Sequence, residues 1–322
     1  MYIVYYTTEL RSLSTNYCLQ KRFNRAIIYI MNTVLTENCK LCPVECGANR
    51  LTGVGACGVD GLRVAKYYLH PFEEPCISFG KGSGTIFFAG CNLRCAFCQN
   101  YEVSRAKRGK AVTPQQLTDI FKELEDMGAD NISLVTPSHL TPFLVQAFEI
   151  YRPQIPVVYN TGSYEKVETL QQIDPYIDIY LPDMKFVSPT LSKRYLGKEN
   201  YFEVASEAVT FMANSKPLRM TNEGKMLSGC IVRHLVMPLC TNDSKAVVKW
   251  FNAYLPPSSY LSLMSQYTPF GDIEGMKELS RPITAREYNS VVETALALGL
   301  EDRLFAQERN SSGEAYIPQW DF

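Results

Sequence analysis

The sequence lacks a long hydrophobic run, and this absence limits where the protein can act. No apolar stretch among its 322 residues approaches the ~20 residues that a bilayer-spanning helix needs. The N-terminus also lacks the basic start, long apolar segment and small-residue cleavage site of a secretory signal. The net charge of -1 gives no electrostatic basis for binding nucleic acid or an anionic membrane, unless a local basic patch is averaged away. We therefore predict a cytoplasmic protein without a membrane partner, and the sequence gives no evidence for a nucleic-acid partner.

Cysteine, in contrast, is plentiful. Hydrophobic residues at 46% and charged residues at 20% are typical of a packed globular protein. Seven of the 11 cysteines fall into two groups, at residues 39–57 and 91–98. This grouping indicates metal-binding thiolates and a reducing, low-oxygen cytosol, not a disulfide framework.

The stretch GCNLRCAFCQN at residues 90–100 contains Cys91, Cys95 and Cys98 in the pattern C-x3-C-x2-C. It follows the apolar run 85–89, which is typical of a buried strand. Three thiolates from one short loop suit a four-iron cluster, because they leave one iron open to a substrate or cofactor. The alternative is a set of structural cysteines or a zinc half-site, although structural zinc normally has four ligands.

A second cysteine group precedes this loop. Four thiols within 19 residues are spaced C-x2-C-x3-C-x10-C, at Cys39, Cys42, Cys46 and Cys57. This metal knuckle suits zinc, slightly favoured, or a second iron–sulfur cluster, and free thiols in a loop are the alternative. Residues 53–58 also match G-x-G-x-x-G, but they follow no clear strand and include Cys57, which argues against a dinucleotide site.

From residue 84 onward, strand and helix patterns alternate. Thr113 is predicted to cap a helix that starts at Pro114 and ends before Gly128. Strands are predicted at 85–89, 131–136, 156–160, 177–181, 230–237 and 260–264, and further helices near 141–152, 163–171, 200–214, 243–254 and 284–298. Such alternation favours parallel strands and an α/β fold. We predict a partial (β/α)6 TIM-like barrel with an N-terminal cysteine-rich metal knuckle.

Three parts are expected along the chain. Residues 1–36 are predicted to be a poorly ordered N-terminal extension, with Met31 as a candidate start. Residues 37–80 are assigned to the cysteine-rich knuckle and its lead-in, and residues 81–322 to the barrel. No low-complexity linker divides the barrel into two domains.

The cluster loop resembles that of the radical S-adenosylmethionine (radical SAM) superfamily, and the run from Cys39 to about Gln307 resembles the pyruvate formate-lyase activating enzyme-like family. The segments that carry the resemblance are GSGTIFF at 82–88, CQNY at 98–101, VTPSH at 135–139, YLPDMK at 180–185, RHLVMP at 233–238 and MSQY at 264–267. The resemblance implies a partial barrel, a [4Fe-4S] cluster on the loop cysteines, and S-adenosylmethionine as cofactor. It also implies reductive cleavage of that cofactor to a 5′-deoxyadenosyl radical, which abstracts hydrogen from a substrate.

In such a barrel the carboxyl ends of the strands form the active-site mouth. By resemblance, Lys185 pairs with the cofactor carboxylate, Asp183 helps to orient the site, and Arg233 contacts the same cofactor. A surface ion pair is the alternative for Asp183 and Lys185. Gln266 is expected near the ribose. Related enzymes carry a Gly-Gly-Glu run after strand two that binds the methionine amino group; this chain lacks it, so backbone carbonyls near Thr136 are expected to substitute.

Other residues at the strand ends have two interpretations. Asn160 and Thr161 suit either a polar contact in the mouth or a helix cap. Tyr267 suits either the ribose contact or core packing. His234, next to Arg233 on a strand, should face the opposite side and pack in the core. His70, placed in a loop before the barrel, is a weak candidate for a gate or substrate contact.

The resemblance leaves the substrate open. We favour an unidentified small molecule, peptide or RNA, because the missing Gly-Gly-Glu run and the extra knuckle distinguish the chain from typical activating enzymes. The alternative is an activating enzyme that installs a glycyl radical on a partner enzyme. A third interpretation is a non-enzymatic zinc-binding scaffold. As an enzyme of this class, it would need an electron donor such as flavodoxin or ferredoxin.

Overall fold

A ten-stranded sheet organises the part of the chain that the structure describes. This structure is a computed structural model, and it describes residues 37–50, 52–105, 108–307 and 320. The predictions for residues 1–36, including Met31 as a start, lie outside the described residues. None of the helices within the described ranges has the length and apolarity that a membrane span requires.

The strands share one sheet in the order β10-β9-β8-β6-β5-β4-β2-β1-β3, with β7 paired to β8. Their bounds are β1 Arg63–His70, β2 Ser83–Phe88, β3 Lys110–Ala111, β4 Ile132–Val135, β5 Val157–Thr161, β6 Ile179–Pro182, β7 Arg219–Met220, β8 Met226–Leu235, β9 Tyr260–Met264 and β10 Leu304–Ala306. The run from β2 to β10 through β4, β5, β6, β8 and β9 is parallel throughout.

Helices follow the parallel strands. Their bounds are α1 Tyr101–Arg105, α2 Pro114–Asp126, α3 Thr141–Ile150, α4 Val167–Ile173, α5 Pro189–Leu196, α6 Tyr201–Ser215, α7 Thr241–Tyr254 and α8 Ala285–Ala297. The predicted α/β fold and partial barrel are confirmed: seven parallel strands occur in sequence order, the first six of them each followed by helical structure, and the sheet is open between β10 and β3 in the described residues.

Local sequence explains the best-predicted elements. The Thr113 hydroxyl accepts the Gln116 N–H, and the Gln116 side chain accepts the Thr113 N–H, forming the capping box that starts α2. Strands β4, β5 and β6 are buried along their whole length, as their apolar runs predict. The helix predicted near 163–171 starts later, at Val167, because Ser163 has a φ of 66° that no helix accommodates.

The lead-in to the barrel contains a strand that sequence patterns do not predict. β1 pairs antiparallel with β2, and His70 lies opposite Ser83 at the end of this pair. The placement of His70 in a loop is therefore wrong: it is the last residue of β1. Because Ser83 is the first residue of β2, this pairing places the end of β1 at the amino ends of the parallel strands, opposite the mouth of the barrel.

Candidate active site

The carboxyl ends of the parallel strands surround a cavity of about 230 Å³. Parallel strands all end at one edge of the sheet, so residues distant in sequence meet there. The predicted cofactor and cluster residues all line this cavity: Cys91, Cys95, Cys98, Thr136, Asp183, Lys185, Arg233 and Gln266. The structure thus brings the predicted cluster ligands and the predicted cofactor-binding residues together.

Backbone contacts fix the cluster loop from two sides. Gly90 has a φ of 83°, and a Cβ there would lie 2.7 Å from the carbonyl oxygen of Cys57, so only glycine fits without displacement. That same carbonyl accepts a hydrogen bond of 3.0 Å from the N–H of Cys91. Further along, the N–H of Ala96 donates to the carbonyl of Tyr195 at 2.8 Å. The loop is therefore attached both to the knuckle and to the barrel.

The three cysteines of this loop are partly buried at the cavity. Burial raises the pKa of Cys91, and it raises the pKa of Cys95 to about 11 although the positive charge of Lys185 opposes it. The N–H of Leu93 donates to Cys91 Sγ at 3.4 Å. Binding of a cationic metal centre would release the thiol protons, because the thiolate is the ligand form.

The donor set fits a four-iron cluster. Three soft thiols from one loop line one cavity, and three protein ligands are the number that a four-iron cluster with one open iron needs. Among the described residues, no three His, Cys, Asp or Glu side chains stand in a preformed metal-binding arrangement. The fit therefore rests on the chemistry and common location of the thiols.

A largely buried ionic network lies beside the cysteines. Asp183 is at its centre: it accepts from Lys185 Nζ at 2.9 Å and from Arg233 Nε at 2.9 Å. Arg233 also donates to Asn160 Oδ1 at 2.7 Å and lies 3.6 Å from the carboxylate of Glu73. The side chains of Lys185 and Asp183 are only 18% and 19% exposed, so they do form an ion pair, but not the surface pair of the alternative interpretation.

Charge pairing outweighs burial in this network. Burial would raise the pKa of Asp183, but Arg233 and Lys185 hold that pKa below its usual value. Burial would lower the pKa of Lys185 and of Arg233, but the Asp183 carboxylate raises both. The cavity wall therefore carries two fixed cations, and cations of this kind bind carboxylates through charge-assisted hydrogen bonds.

The structure excludes one of the two interpretations of Asn160 and Thr161. Both line the cavity, whereas α4 is preceded by Lys166, which makes no side-chain cap. The helix-cap interpretation is therefore wrong, and the polar contact stays a prediction for these two residues. His70, at the end of β1, also lines the cavity, and burial lowers its pKa while Glu73 opposes that effect.

Two other candidates belong to the core. The hydroxyl of Tyr267, a residue only 1% exposed, donates to the carbonyl of Leu279 at 2.7 Å. His234 is 2% exposed, and its Nδ1 lies 2.7 Å from the carbonyl of Met184. The prediction that His234 faces away from Arg233 is confirmed.

Sequence reasoning missed several residues at the cavity. Phe72 and Glu73 reach it from the connection between β1 and β2, and Ser138 lines it after β4. The hydroxyl of Ser138 donates to Glu165, a carboxylate only 3% exposed. The two adjacent glutamates in HPFEEP, at residues 70–75, could have indicated this part of the site, whereas no sequence pattern points to Glu165.

Two of the knuckle thiols, those of Cys46 and Cys57, lie close together. A Cβ at Gly55 would lie 3.2 Å from Cys57 Sγ and 3.6 Å from Cys46 Sγ. Burial raises the pKa of Cys57 and raises that of Cys42 to about 11. The pKa of Cys46 is lowered, because hydrogen bonds from backbone amides and from Cys39 outweigh the effect of burial.

The knuckle is docked on the barrel through polar contacts. Thr169 Oγ1 in α4 donates to the carbonyl of Leu41 at 2.7 Å, and Lys166 Nζ lies 2.6 Å from Glu45. Arg50 Nη1 donates to a backbone carbonyl beyond β4 at 2.9 Å. The knuckle therefore packs next to the loops that form the cavity wall.

Comparison with known proteins finds one family match and similar sequences. The family model described as the radical SAM superfamily matches residues 85–217. An uncharacterized protein of Methanocaldococcus jannaschii is 26% identical over 276 residues, covering 82% of this chain and 76% of that protein. The pyruvate formate-lyase-activating enzyme of Clostridium pasteurianum is 26% identical over 197 residues, covering 57% of this chain and 74% of that enzyme.

Among solved structures, Streptococcus suis SuiB bound to the precursor peptide SuiA is similar, with a TM-score of 0.47 and 11% identity. The match covers 68% of this chain and 46% of SuiB, so the chain spans about half the length of that protein. The family match starts in β2 and includes the cluster loop, and it identifies residues 85–217 as a radical SAM domain in a chain that is similar to the pyruvate formate-lyase-activating enzyme of Clostridium pasteurianum.

Proposed function

We propose that the chain is an enzyme that binds a [4Fe-4S] cluster through Cys91, Cys95 and Cys98 and binds S-adenosylmethionine in the adjoining cavity. The observation that carries the proposal is that these thiols line the same cavity as the partly buried cations of Lys185 and Arg233. When bound, the reduced cluster and S-adenosylmethionine supply the one-electron cleavage that gives methionine and a 5′-deoxyadenosyl radical, which abstracts hydrogen from a substrate.

The chain itself would bind and orient the cofactor. Lys185 and Arg233 are suited to its carboxylate, and Asp183 holds both cations in position through its two oxygens. Thr136, which has a φ of 61° after β4, places polar backbone at the cavity. Gln266 is fixed by a 2.9 Å hydrogen bond from Gln307 and is assigned the ribose contact.

The first experiment measures 5′-deoxyadenosine after anaerobic reconstitution of the cluster and chemical reduction in the presence of S-adenosylmethionine. We expect product from the wild-type protein and none from Cys95→Ala. A fully loaded wild-type cluster that yields no product, alone or with cell extract added to supply a substrate, would contradict the proposal.

The favoured substrate is an unidentified small molecule, peptide or RNA. The stretch after β4 contains no Gly-Gly-Glu run, and a cysteine knuckle adjoins the cluster loop through the contact between Cys57 and Cys91. Both features distinguish the chain from typical activating enzymes. Product formation that depends on a fraction of cell extract would identify the substrate class by its sensitivity to protease, nuclease or size filtration.

The alternative is glycyl radical activation, and the similarity to a Clostridium pasteurianum activating enzyme favours it. A neighbouring gene for a large enzyme with a C-terminal glycyl-radical segment would support this alternative. Electron paramagnetic resonance of the two proteins mixed with S-adenosylmethionine should then show a glycyl radical on the partner. Flavodoxin or ferredoxin is the proposed electron donor in either case.

We further propose that Cys39, Cys42, Cys46 and Cys57 bind a metal, with zinc favoured over a second iron–sulfur cluster. Their grouping, and the lowered pKa of the exposed Cys46 thiol, support this proposal. Metal analysis should show that Cys46→Ser loses the knuckle metal and retains the loop iron, whereas Cys95→Ala shows the reverse. Zinc without any iron after anaerobic purification and reconstitution would instead favour the non-enzymatic scaffold.

The proposed domain organisation keeps the knuckle and lead-in at residues 37–80 and the barrel from residue 81, although β1 of the lead-in shares the barrel sheet. A cytoplasmic location also remains our proposal. The ten cysteines of the described residues are all free thiols, which agrees with a reducing compartment.

A further inference from the structure

A buried carboxylate lies directly behind the cavity wall, on the loop between β5 and α4. Glu165 is 3% exposed, and its Oε1 accepts hydrogen bonds from the hydroxyls of Ser138 and Thr161, the latter at 2.5 Å. The hydroxyl of Tyr159 donates to the same oxygen at 3.5 Å. Of these four residues, only Ser138 and Thr161 line the cavity.

These bonds determine which way the two hydroxyl groups point. A hydroxyl has one hydrogen and two lone pairs, so a hydroxyl that donates to Glu165 can only accept from any other partner. Thr161 Oγ1 already accepts the N–H of Ser163 at 3.2 Å, and Ser138 Oγ lies 3.3 Å from Thr161 Oγ1. The cavity wall at this point therefore offers two neighbouring oxygen acceptors.

A wall that offers only hydrogen-bond acceptors favours a ligand group that only donates hydrogen bonds. A primary ammonium has three donors and no acceptor, whereas a carboxylate or phosphate would find no donor in these hydroxyls. The cations that would attract a carboxylate, Lys185 and Arg233, belong to the Asp183 network in the same cavity. The cavity thus contains separate groups suited to each end of an α-amino acid moiety.

We propose that Glu165 is a positioning residue that orients the Ser138 and Thr161 hydroxyls to accept the ammonium group of S-adenosylmethionine. This inference rests on the proposed function. The two hydroxyls would bind the ammonium group that the missing Gly-Gly-Glu run binds in related enzymes, a role first assigned to backbone carbonyls near Thr136. Glu165 acts through the two hydroxyls, since it does not itself line the cavity.

Other contacts keep Glu165 in place. Its neighbour Tyr164 has its carbonyl bound by Asn92 Nδ2 of the cluster loop at 2.6 Å. On the other side, Lys166 pairs with Glu45 of the knuckle. Burial raises the pKa of Glu165, while the hydroxyl donors oppose that increase. The carboxylate is therefore held between the cluster loop and the knuckle.

The test compares two probes by calorimetry on the reconstituted holoprotein: S-adenosylmethionine and its deaminated analogue, which keeps the carboxylate and the sulfonium. Glu165→Leu and Ser138→Ala should each weaken S-adenosylmethionine binding by about tenfold or more, because a hydrogen bond to a charged group is lost. Binding of the deaminated analogue should change less than about twofold. Glu165→Gln keeps an oxygen acceptor and should retain more affinity than Glu165→Leu.

Asp243→Asn serves as the matched control. Asp243 is also a buried carboxylate, but it accepts the backbone N–H groups of Val187 and Ser188 outside the cavity. The Asp243→Asn variant should bind both probes with unchanged affinity. If Glu165→Leu does not fold, Ser138→Ala decides the question with the same two probes.

The outcomes separate this inference from the proposed function. A wild-type holoprotein that does not bind S-adenosylmethionine contradicts the proposed function itself. Normal binding to the wild type with equal losses for both probes in the variants shows that Glu165 only supports the fold. Unchanged affinity for S-adenosylmethionine in Glu165→Leu or Ser138→Ala also overturns the inference.

Discussion

Asp183 balances the charges of the cavity. Its two carboxylate oxygens bind different cations, so removal of one cation leaves it paired with the other. A buried carboxylate that loses all partners destabilises a fold by several kcal/mol, whereas one that keeps a strong partner does not suffer this full penalty. This arrangement makes Lys185 a position where cofactor binding can be tested with the fold retained.

We predict that Lys185→Met weakens S-adenosylmethionine binding by about 10- to 100-fold, since a charged hydrogen bond contributes roughly 1.5–3 kcal/mol. Arg233 stays paired with Asp183 in this variant, so the iron content should equal that of the wild type. Lys193→Met is the matched control, because Lys193 is 69% exposed and pairs with Glu199 at the surface. Calorimetry that shows wild-type affinity in Lys185→Met would remove this lysine from the binding site.

At the scale of elements, sequence patterns predict what is local. The parallel strands have continuous apolar runs, and the α2 capping box lies within four consecutive residues starting at Thr113. The cysteine spacing and the polar residues at strand ends are likewise local, because a strand's carboxyl end follows directly from its bounds. These features predicted the barrel and the residues around its mouth.

Features set by long-range pairing could not be predicted in this way. β1 alternates poorly between buried and exposed positions and becomes a strand through its antiparallel register with β2. Glu73 reaches the cavity only because of that pairing, and Glu165 becomes a buried acceptor only when β4 and β5 bring Ser138 and Thr161 beside it. Tertiary contact, not local pattern, determines these roles.

The close packing of the cluster loop predicts that one added methyl group will disturb it. In Gly90→Ala, the new Cβ would have to displace the Cys57 carbonyl, which lies 2.7 Å away and accepts the N–H of Cys91. We expect a loss of iron per chain after reconstitution, together with a loss of stability greater than the ~1–2 kcal/mol of left-handed strain alone. Iron analysis and urea unfolding measure the two effects.

Gly197→Ala provides the control for that strain. Gly197 has a φ of 68° at the end of α5, and a Cβ there would meet nothing within 4 Å. This variant should lose about 1–2 kcal/mol of stability and no iron. Equal iron content in both variants would show that the contact between Cys57 and Cys91 does not position the cluster loop.

At the scale of the whole molecule, the knuckle and the barrel form one connected structure around the cavity. The loop before α4 binds the cluster loop through Asn92 and the knuckle through Lys166, while the Cys57 carbonyl binds the N–H of Cys91. A disturbance at the knuckle therefore reaches the active site through short polar contacts. The polar groups with the least access to water should contribute most to this connection.

Two substitutions near the start of α4 test whether the buried contact contributes more than the exposed one. Thr169→Val keeps the side-chain shape but leaves the carbonyl of Leu41 unsatisfied and buried, so we expect a loss of about 1–3 kcal/mol in the free energy of unfolding. Lys166→Met removes the partly exposed ion pair with Glu45 and should cost less than about 1 kcal/mol. Urea unfolding of the metal-loaded protein measures both. Equal losses, or a larger loss in Lys166→Met, would mean that the knuckle is held by its surface charge and not by the buried Thr169 contact.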